Sequence, residues 1–230
     1  MLFFASATTI LAFLTSTTLA TKRGLIYIPP ASGPSDDRIW TQPPSPLTWY
    51  YNYQSEPTPS LHSNPLHFVP MLWGAPPPHQ PTAFLDAVTA QLARGANITH
   101  VLGFNEPDGP PSTGGSALTV EVAAEAWMAN MEPLRRRGVK VGLPATTGAP
   151  GGRAWLERWL AACEGRCGYD FLTAHWYDNI EGLASHVGEK RQVFGAGMAV
   201  WVTEFAYAHQ GLAATQEVFN KSLEYLDGSE

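Results

Sequence analysis

The chain has 230 residues, enough for one domain with a sizeable core and too few for two comfortable ones. With 44% apolar and only 15% charged residues, the composition is globular and excludes a disordered chain. A formal net charge of −6 argues against a nucleic-acid binder, which needs a basic face to neutralise phosphate, and suits a neutral ligand instead.

Residues 1–20 carry no charged side chain. An apolar run, Ile10-Leu11-Ala12-Phe13-Leu14, leads to Thr18-Leu19-Ala20, whose small residues fit a signal-peptidase site. Ser and Thr interrupt the run, and it is short for a membrane span. The expectation is a cleaved signal over 1–20 and a mature domain over 21–230, secreted and free of the membrane after cleavage. Two glycosylation triplets, Asn97-Ile98-Thr99 and Asn220-Lys221-Ser222, add weak support for export.

Short apolar runs then recur along the chain, each bounded by turn residues. They are Gly24-Leu25-Ile26-Tyr27-Ile28, Leu47-Thr48-Trp49-Tyr50-Tyr51, His67-Phe68-Val69-Pro70-Met71-Leu72-Trp73 and Thr99-His100-Val101-Leu102-Gly103-Phe104. Val139-Lys140-Val141-Gly142-Leu143, Phe171-Leu172-Thr173-Ala174-His175-Trp176 and Ala199-Val200-Trp201-Val202-Thr203 follow. Most are continuous rather than alternating, as strands buried on both faces of a parallel sheet would be.

Helical patterns separate the later runs. Over 81–94, Phe84, Leu85, Val88 and Leu92 share a face behind Pro81. Over 117–137, Val122, Ala126, Met128, Met131 and Leu134 are expected inward, the basic end Arg135-Arg136-Arg137 suits the helix dipole, and Gly138 stops the helix. Further helices are expected over 153–162, 181–194 and 213–226. The first two connections, 29–46 and 54–65, are rich in Pro, Ser and Asp and read as irregular loops. Cys163 and Cys167 are the two cysteines, and in an exported chain an even count points to one disulfide.

Strand–helix alternation implies an α/β fold with right-handed crossovers. The expected architecture is a (β/α)8 TIM-type barrel in which seven strands are visible and the eighth strand and its helix are missing from this chain.

Two carboxylates close strand-like runs: Glu106 after Leu102-Gly103-Phe104-Asn105 and Glu204 after Val200-Trp201-Val202-Thr203. In such a barrel the C-terminal strand ends face the active site, and the fourth and seventh ends lie across its mouth. A carboxylate flanked by apolar residues is costly unless it is paired or used. Two that face one cleft are the apparatus of glycosidic bond cleavage, and retention needs them about 5–5.5 Å apart.

Gly103-Phe104-Asn105-Glu106-Pro107-Asp108 and Trp201-Val202-Thr203-Glu204-Phe205 resemble glycoside hydrolase family 128, the alkali-sensitive-linkage-protein-like glycosyl hydrolases found largely in fungi. Val69-Pro70-Met71-Leu72-Trp73-Gly74, His175-Trp176-Tyr177, Arg23-Gly24-Leu25 and Trp49-Tyr50-Tyr51-Asn52 are similar to other strands of that family, in the same order. The resemblance implies a retaining hydrolase of β-1,3-glucan, with Glu106 as acid/base and Glu204 as nucleophile. It implies that Asn105 binds the sugar 2-hydroxyl and that the protein works on cell-wall glucan.

His175 and Tyr177 share one side of a strand and Trp176 takes the other, so one of the pair is expected to reach Glu204 or a sugar hydroxyl. Trp73 is a candidate stacking platform. Trp176 and Asn52 complete the expected substrate-binding set, with Tyr27 as a further subsite candidate.

No metal-binding His-Glu-x-x-His, phosphate loop, dinucleotide fingerprint or Gly-x-Ser-x-Gly occurs, so no metal or cofactor is implied. The expected partner is a β-glucan polysaccharide or oligosaccharide, acting on a monomer. The alternatives are a non-catalytic β-glucan-binding protein on the same barrel, and a retaining β-glycosidase of other specificity such as a β-mannanase or β-1,4-glucanase.

Overall fold

A computed structural model describes residues 22–28, 37–61 and 65–229. The signal segment expected over 1–20 lies outside the described residues, as do 29–36 and 62–64 within the two irregular loops. The described parts of those loops are irregular apart from single 3-10 turns at Asp37–Trp40 and Pro59–Leu61.

The fold is α/β. Among the described residues, seven short strands are β1 (Gly24–Ile26), β2 (Trp49–Tyr51), β3 (His67–Phe68), β4 (His100–Val101), β5 (Lys140–Val141), β6 (Leu172–Trp176) and β7 (Val200–Phe205). The same residues form five α-helices, α1 (Ala83–Ala93), α2 (Val120–Arg136), α3 (Pro150–Cys163), α4 (Ile180–Phe194) and α5 (Leu212–Gly228). Each expected strand run and helix is present, but except at β7 the regular ladders are shorter than the apolar runs.

All pairings are parallel: β1-β2-β3, β4-β5 and β6-β7. Single bridges, Met71 to Leu102 and Gly142 to Phe171, join these groups in chain order. The array curls. Tyr51 on β2 donates its hydroxyl to the Thr203 carbonyl on β7 (3.1 Å), and the Trp49 and Trp201 rings meet at 4.8 Å. Among the described residues no ladder joins β1 to β7. Instead the end of α5 reaches the start of β1, where Arg23 pairs with Asp227 (2.5 Å) and Lys22 donates to the Ser229 carbonyl.

The main core lies under α1, α2 and α3, with Trp127 and Trp159 fully buried edge to face at 4.9 Å. Helix α2 begins where Thr119 accepts the Val122 amide, and it is followed by Gly138 at φ +88°, a conformation that a side chain would disfavour. Its buried stripe is Ala123, Trp127, Asn130 and Leu134. Val122, expected inward, is exposed instead, because it stands one residue and about 100° around the helix from Ala123. Ala126, Met131 and Leu134 are buried as expected, and Met128 is half-buried. Cys163 and Cys167 form the expected disulfide just after α3.

Candidate active site

Glu106 leaves β4 at φ +38°, a left-handed conformation that costs a non-glycine residue about 1–2 kcal/mol. Its surroundings impose that conformation. The Glu106 amide donates to the Ala145 carbonyl (2.6 Å), and the Glu106 carbonyl accepts the Gly109 and Ser116 amides (2.9 and 3.2 Å). The loop through Gly115 presses so close that a Cβ there would lie 2.3 Å from the Gly109 carbonyl oxygen and 2.7 Å from that of Glu106. Sparsely populated backbone held this firmly is typical of functional positions.

Glu204 lies within β7. Strand β6 carries a register shift between Ala174 and His175, so His175 pairs with Glu204. A bulge of this kind re-aims side chains beside a site. His175 is fully buried, with Nδ1 3.1 Å from Glu106 Oε1. Its Nε2 is 3.5 Å from Glu204 Oε1 but has no aligned hydrogen-bond partner. One carboxylate oxygen of Glu106, one of Glu204 and a ring nitrogen of His175 all lie within 4.8 Å of one another.

Phenols surround Glu204. Tyr53 donates to Oε1 (2.8 Å), Tyr177 donates to Oε2 (2.6 Å), and Tyr51 stands 3.4 Å from Oε1. Burial, reinforced by the Glu204 charge, raises the pKa of Tyr53 and Tyr177 above the ordinary phenol value, so both keep their protons and act as donors. Hydrogen bonds to an ionised carboxylate favour its charged form. The three atoms of Glu106, His175 and Glu204 are near enough to share a cation, yet both Glu204 oxygens already accept phenolic protons that an ion would have to displace.

These groups open into a cleft of about 860 Å³, lined among others by Tyr53, Trp73, Asn105, Glu106, Trp176, Tyr177 and Glu204. Trp73 and Tyr177 are 39% and 51% exposed, leaving ring surface available to a ligand. Trp176 forms part of the wall, stacked on His186 at 5.3 Å, with its indole nitrogen donating to the Asn179 carbonyl. Asn105 donates to the Gly114 carbonyl (3.0 Å), and its Oδ1 is buried without a partner.

Three expected residues do not line the cleft: His175, fully buried against the two carboxylates, and Asn52 and Tyr27. Asn52 spends its side chain on its own loop: it donates to the Glu56 carbonyl and Thr58 Oγ1 and accepts the Gln54 amide. Tyr27 packs in a separate cluster with Tyr50, Leu61 and Leu66. The residues missed are Tyr51 and Tyr53. The signal for them was present, since period-two alternation through Trp49-Tyr50-Tyr51-Asn52-Tyr53 puts Tyr51 and Tyr53 on one side and Asn52 on the other.

Residues 24–230 match the family described as the glycosyl hydrolase catalytic core. The chain is 29% identical over 224 residues to Alkali-sensitive linkage protein 1 of Schizosaccharomyces pombe; the alignment takes in 90% of this chain and only 36% of that longer protein. Among solved structures, it is similar to a curdlan-specific exo-β-1,3-glucanase of glycoside hydrolase family 128, subgroup III, from Blastomyces gilchristii. That match is 29% identical, covers 91% of this chain and 86% of the other, and has a TM-score of 0.73. An endo-β-1,3-glucanase of subgroup IV from Lentinula edodes shares the fold at 23% identity, with 86% and 75% covered and a TM-score of 0.69.

Proposed function

The chain belongs to the glycosyl hydrolase catalytic core family, with its structural relatives in glycoside hydrolase family 128, and from that premise we propose that it hydrolyses β-1,3-glucan with retention at the anomeric carbon. The observation that carries this reading is the pair of carboxylates, with oxygens within 4.8 Å, one just past the fourth strand and one near the end of the seventh. That spacing fits double displacement, which needs carboxyl groups about 5–5.5 Å apart, and leaves no room for the water of an inverting site.

Glu204 attacks the anomeric carbon, its charge supported by the Tyr53 and Tyr177 hydroxyls. Glu106 gives its proton to the leaving oxygen and then takes one from the water that releases the sugar. His175 fixes the Glu106 carboxyl. Asn105, in the cleft wall beside Glu106, is assigned to the sugar 2-hydroxyl, and Trp73 offers a stacking face. The scaffold is a (β/α)8-type barrel with seven strands among the described residues. The apolar, uncharged segment 1–20 supports export, and wall glucan is then the natural substrate.

The test is laminarin. Incubation should release reducing ends, and early products followed by NMR should keep the β configuration. Laminarin binding without turnover would leave a glucan-binding protein. Turnover of mannan or cellulose but not laminarin would leave another retaining glycosidase. Inverted products would reject the double displacement.

A further inference from the structure

Lys190 sits on α4 at 2% exposure and is no part of the cleft lining. Its ammonium donates to Thr146 Oγ1 (3.0 Å) and lies 5.8 Å from the centre of the Phe194 ring. Thr146 is itself fully buried. The next residue, Thr147, is held by Asp108: Oδ1 accepts its amide (2.9 Å) and Oδ2 its hydroxyl (2.5 Å).

Asp108 stands two residues after Glu106, and Ala145, just before Thr146, accepts the Glu106 amide. Thr147 and Gly148 line the cleft. Segment 145–148 is therefore both the backbone support of Glu106 and one wall of the site. Lys190 and Asp108 anchor it at adjacent residues, Thr146 and Thr147.

Stability alone does not account for a lysine here. Removing an ammonium from water is expensive, and an apolar side chain of the same length would fill the space without that cost. Burial lowers Lys190 to about 8, while the charges of Asp108 and Glu189 act in the opposite direction, so the amine is still mostly charged at neutral pH.

We propose that Lys190 is a positioning residue: through Thr146 it fixes segment 145–148, and so the strained backbone that presents the Glu106 carboxyl to the substrate. The proposal rests on the reading of Glu106 as acid/base. Lys190 touches no reacting atom, and its effect is carried by the backbone of the segment it grips.

The test uses Lys190→Met, close to it in length and shape, beside Thr146→Val, which removes the accepting oxygen from the other partner. Two readouts are taken in both: laminarin kinetics, and amide hydrogen exchange across residues 143–149 with α1 as internal reference. Lys190→Met should lower kcat about tenfold or more with KM within about twofold, since misplacing a catalytic group costs rate more than binding. Protection of the Thr147 amide should fall about tenfold while α1 keeps its protection. Thr146→Val should reproduce both effects, and the double variant should be no worse than Lys190→Met alone.

Unchanged kcat and unchanged Thr147 protection in Lys190→Met would overturn the proposal. So would a uniform loss of protection with kcat intact, which marks a purely structural lysine. Should Lys190→Met not fold, Thr146→Val decides on the same criteria. Should the wild-type protein not hydrolyse laminarin, the hydrolase reading falls by itself, and Thr147 exchange still decides whether Lys190 holds the segment.

Discussion

His175 fixes Glu106 through a single 3.1 Å contact between Nδ1 and Oε1. The ring is fully buried at a register shift in β6, so it has no freedom to follow the carboxyl if that moves. Replacing His175 by Phe keeps a ring and removes the contact. We expect kcat on laminarin to drop by on the order of a hundredfold, the cost of losing close orientation, with the thermal midpoint changed little. A variant with wild-type kcat would mean that Glu106 is oriented by its backbone alone.

The two carboxylates should separate by their dependence on the leaving group. Glu204→Gln is expected to be inactive on every substrate, because no nucleophile remains. Glu106→Gln should lose about 10²–10⁴ on laminarin, whose leaving oxygen needs a proton, and much less on an aryl glucoside whose phenolate leaves unaided. Equal losses of Glu106→Gln on both substrates would remove it from the acid role.

Tyr53, which donates to Glu204, sits just beyond its strand at φ +61°. Tyr53→Phe removes the hydroxyl and keeps the ring. A hydrogen bond to a charged group is worth about 1.5–3 kcal/mol, so turnover should fall roughly tenfold or more. Stopped-flow measurement with an aryl glucoside should locate the loss in formation of the glycosyl-enzyme. A loss confined to KM would make Tyr53 a sugar contact instead.

His186 predicts how stability responds to acid. Burial, with help from the Lys190 charge, lowers its pKa from 6.5 to about 4. The folded state thus resists the proton that the unfolded chain accepts. Stability from this group is complete above about pH 6.5 and is lost as pH falls towards 4. Discounted for partial solvent access, the loss is about 1–3 kcal/mol. His186→Phe should flatten that part of the stability–pH curve measured by urea unfolding. A curve that keeps its slope would assign the acid sensitivity to other groups.

The sequence made the strand count and the two glutamates legible for one physical reason. A parallel strand buried on both faces is a continuous apolar run, and a carboxylate at its end stands out against that background. The ladders are shorter than the run at Val69 to Leu72, where Pro70 has no N–H to donate and the pairing passes from Tyr50 on one side to Leu102 on the other. Asn52 was drawn into the site by its residue type, while alternation pointed to Tyr51 and Tyr53 on either side of it. Lys190 looked like any charged residue on a helix. Only the fold shows that a loop from another strand covers it.

The left-handed backbone of Glu106 also bears on how this protein could change over time. The position asks for glycine, and a carboxylate there opposes the local preference of the chain. Glu106→Gly should relieve that backbone strain yet leave the buried His175 Nδ1 without its partner, and it should abolish hydrolysis. Trp73, Trp176 and Tyr177 would remain in place along the cleft. The aromatic wall of the proposed glucan site would thus outlast the carboxylate, and under that proposal selection for bond cleavage is what would keep a glutamate at that turn.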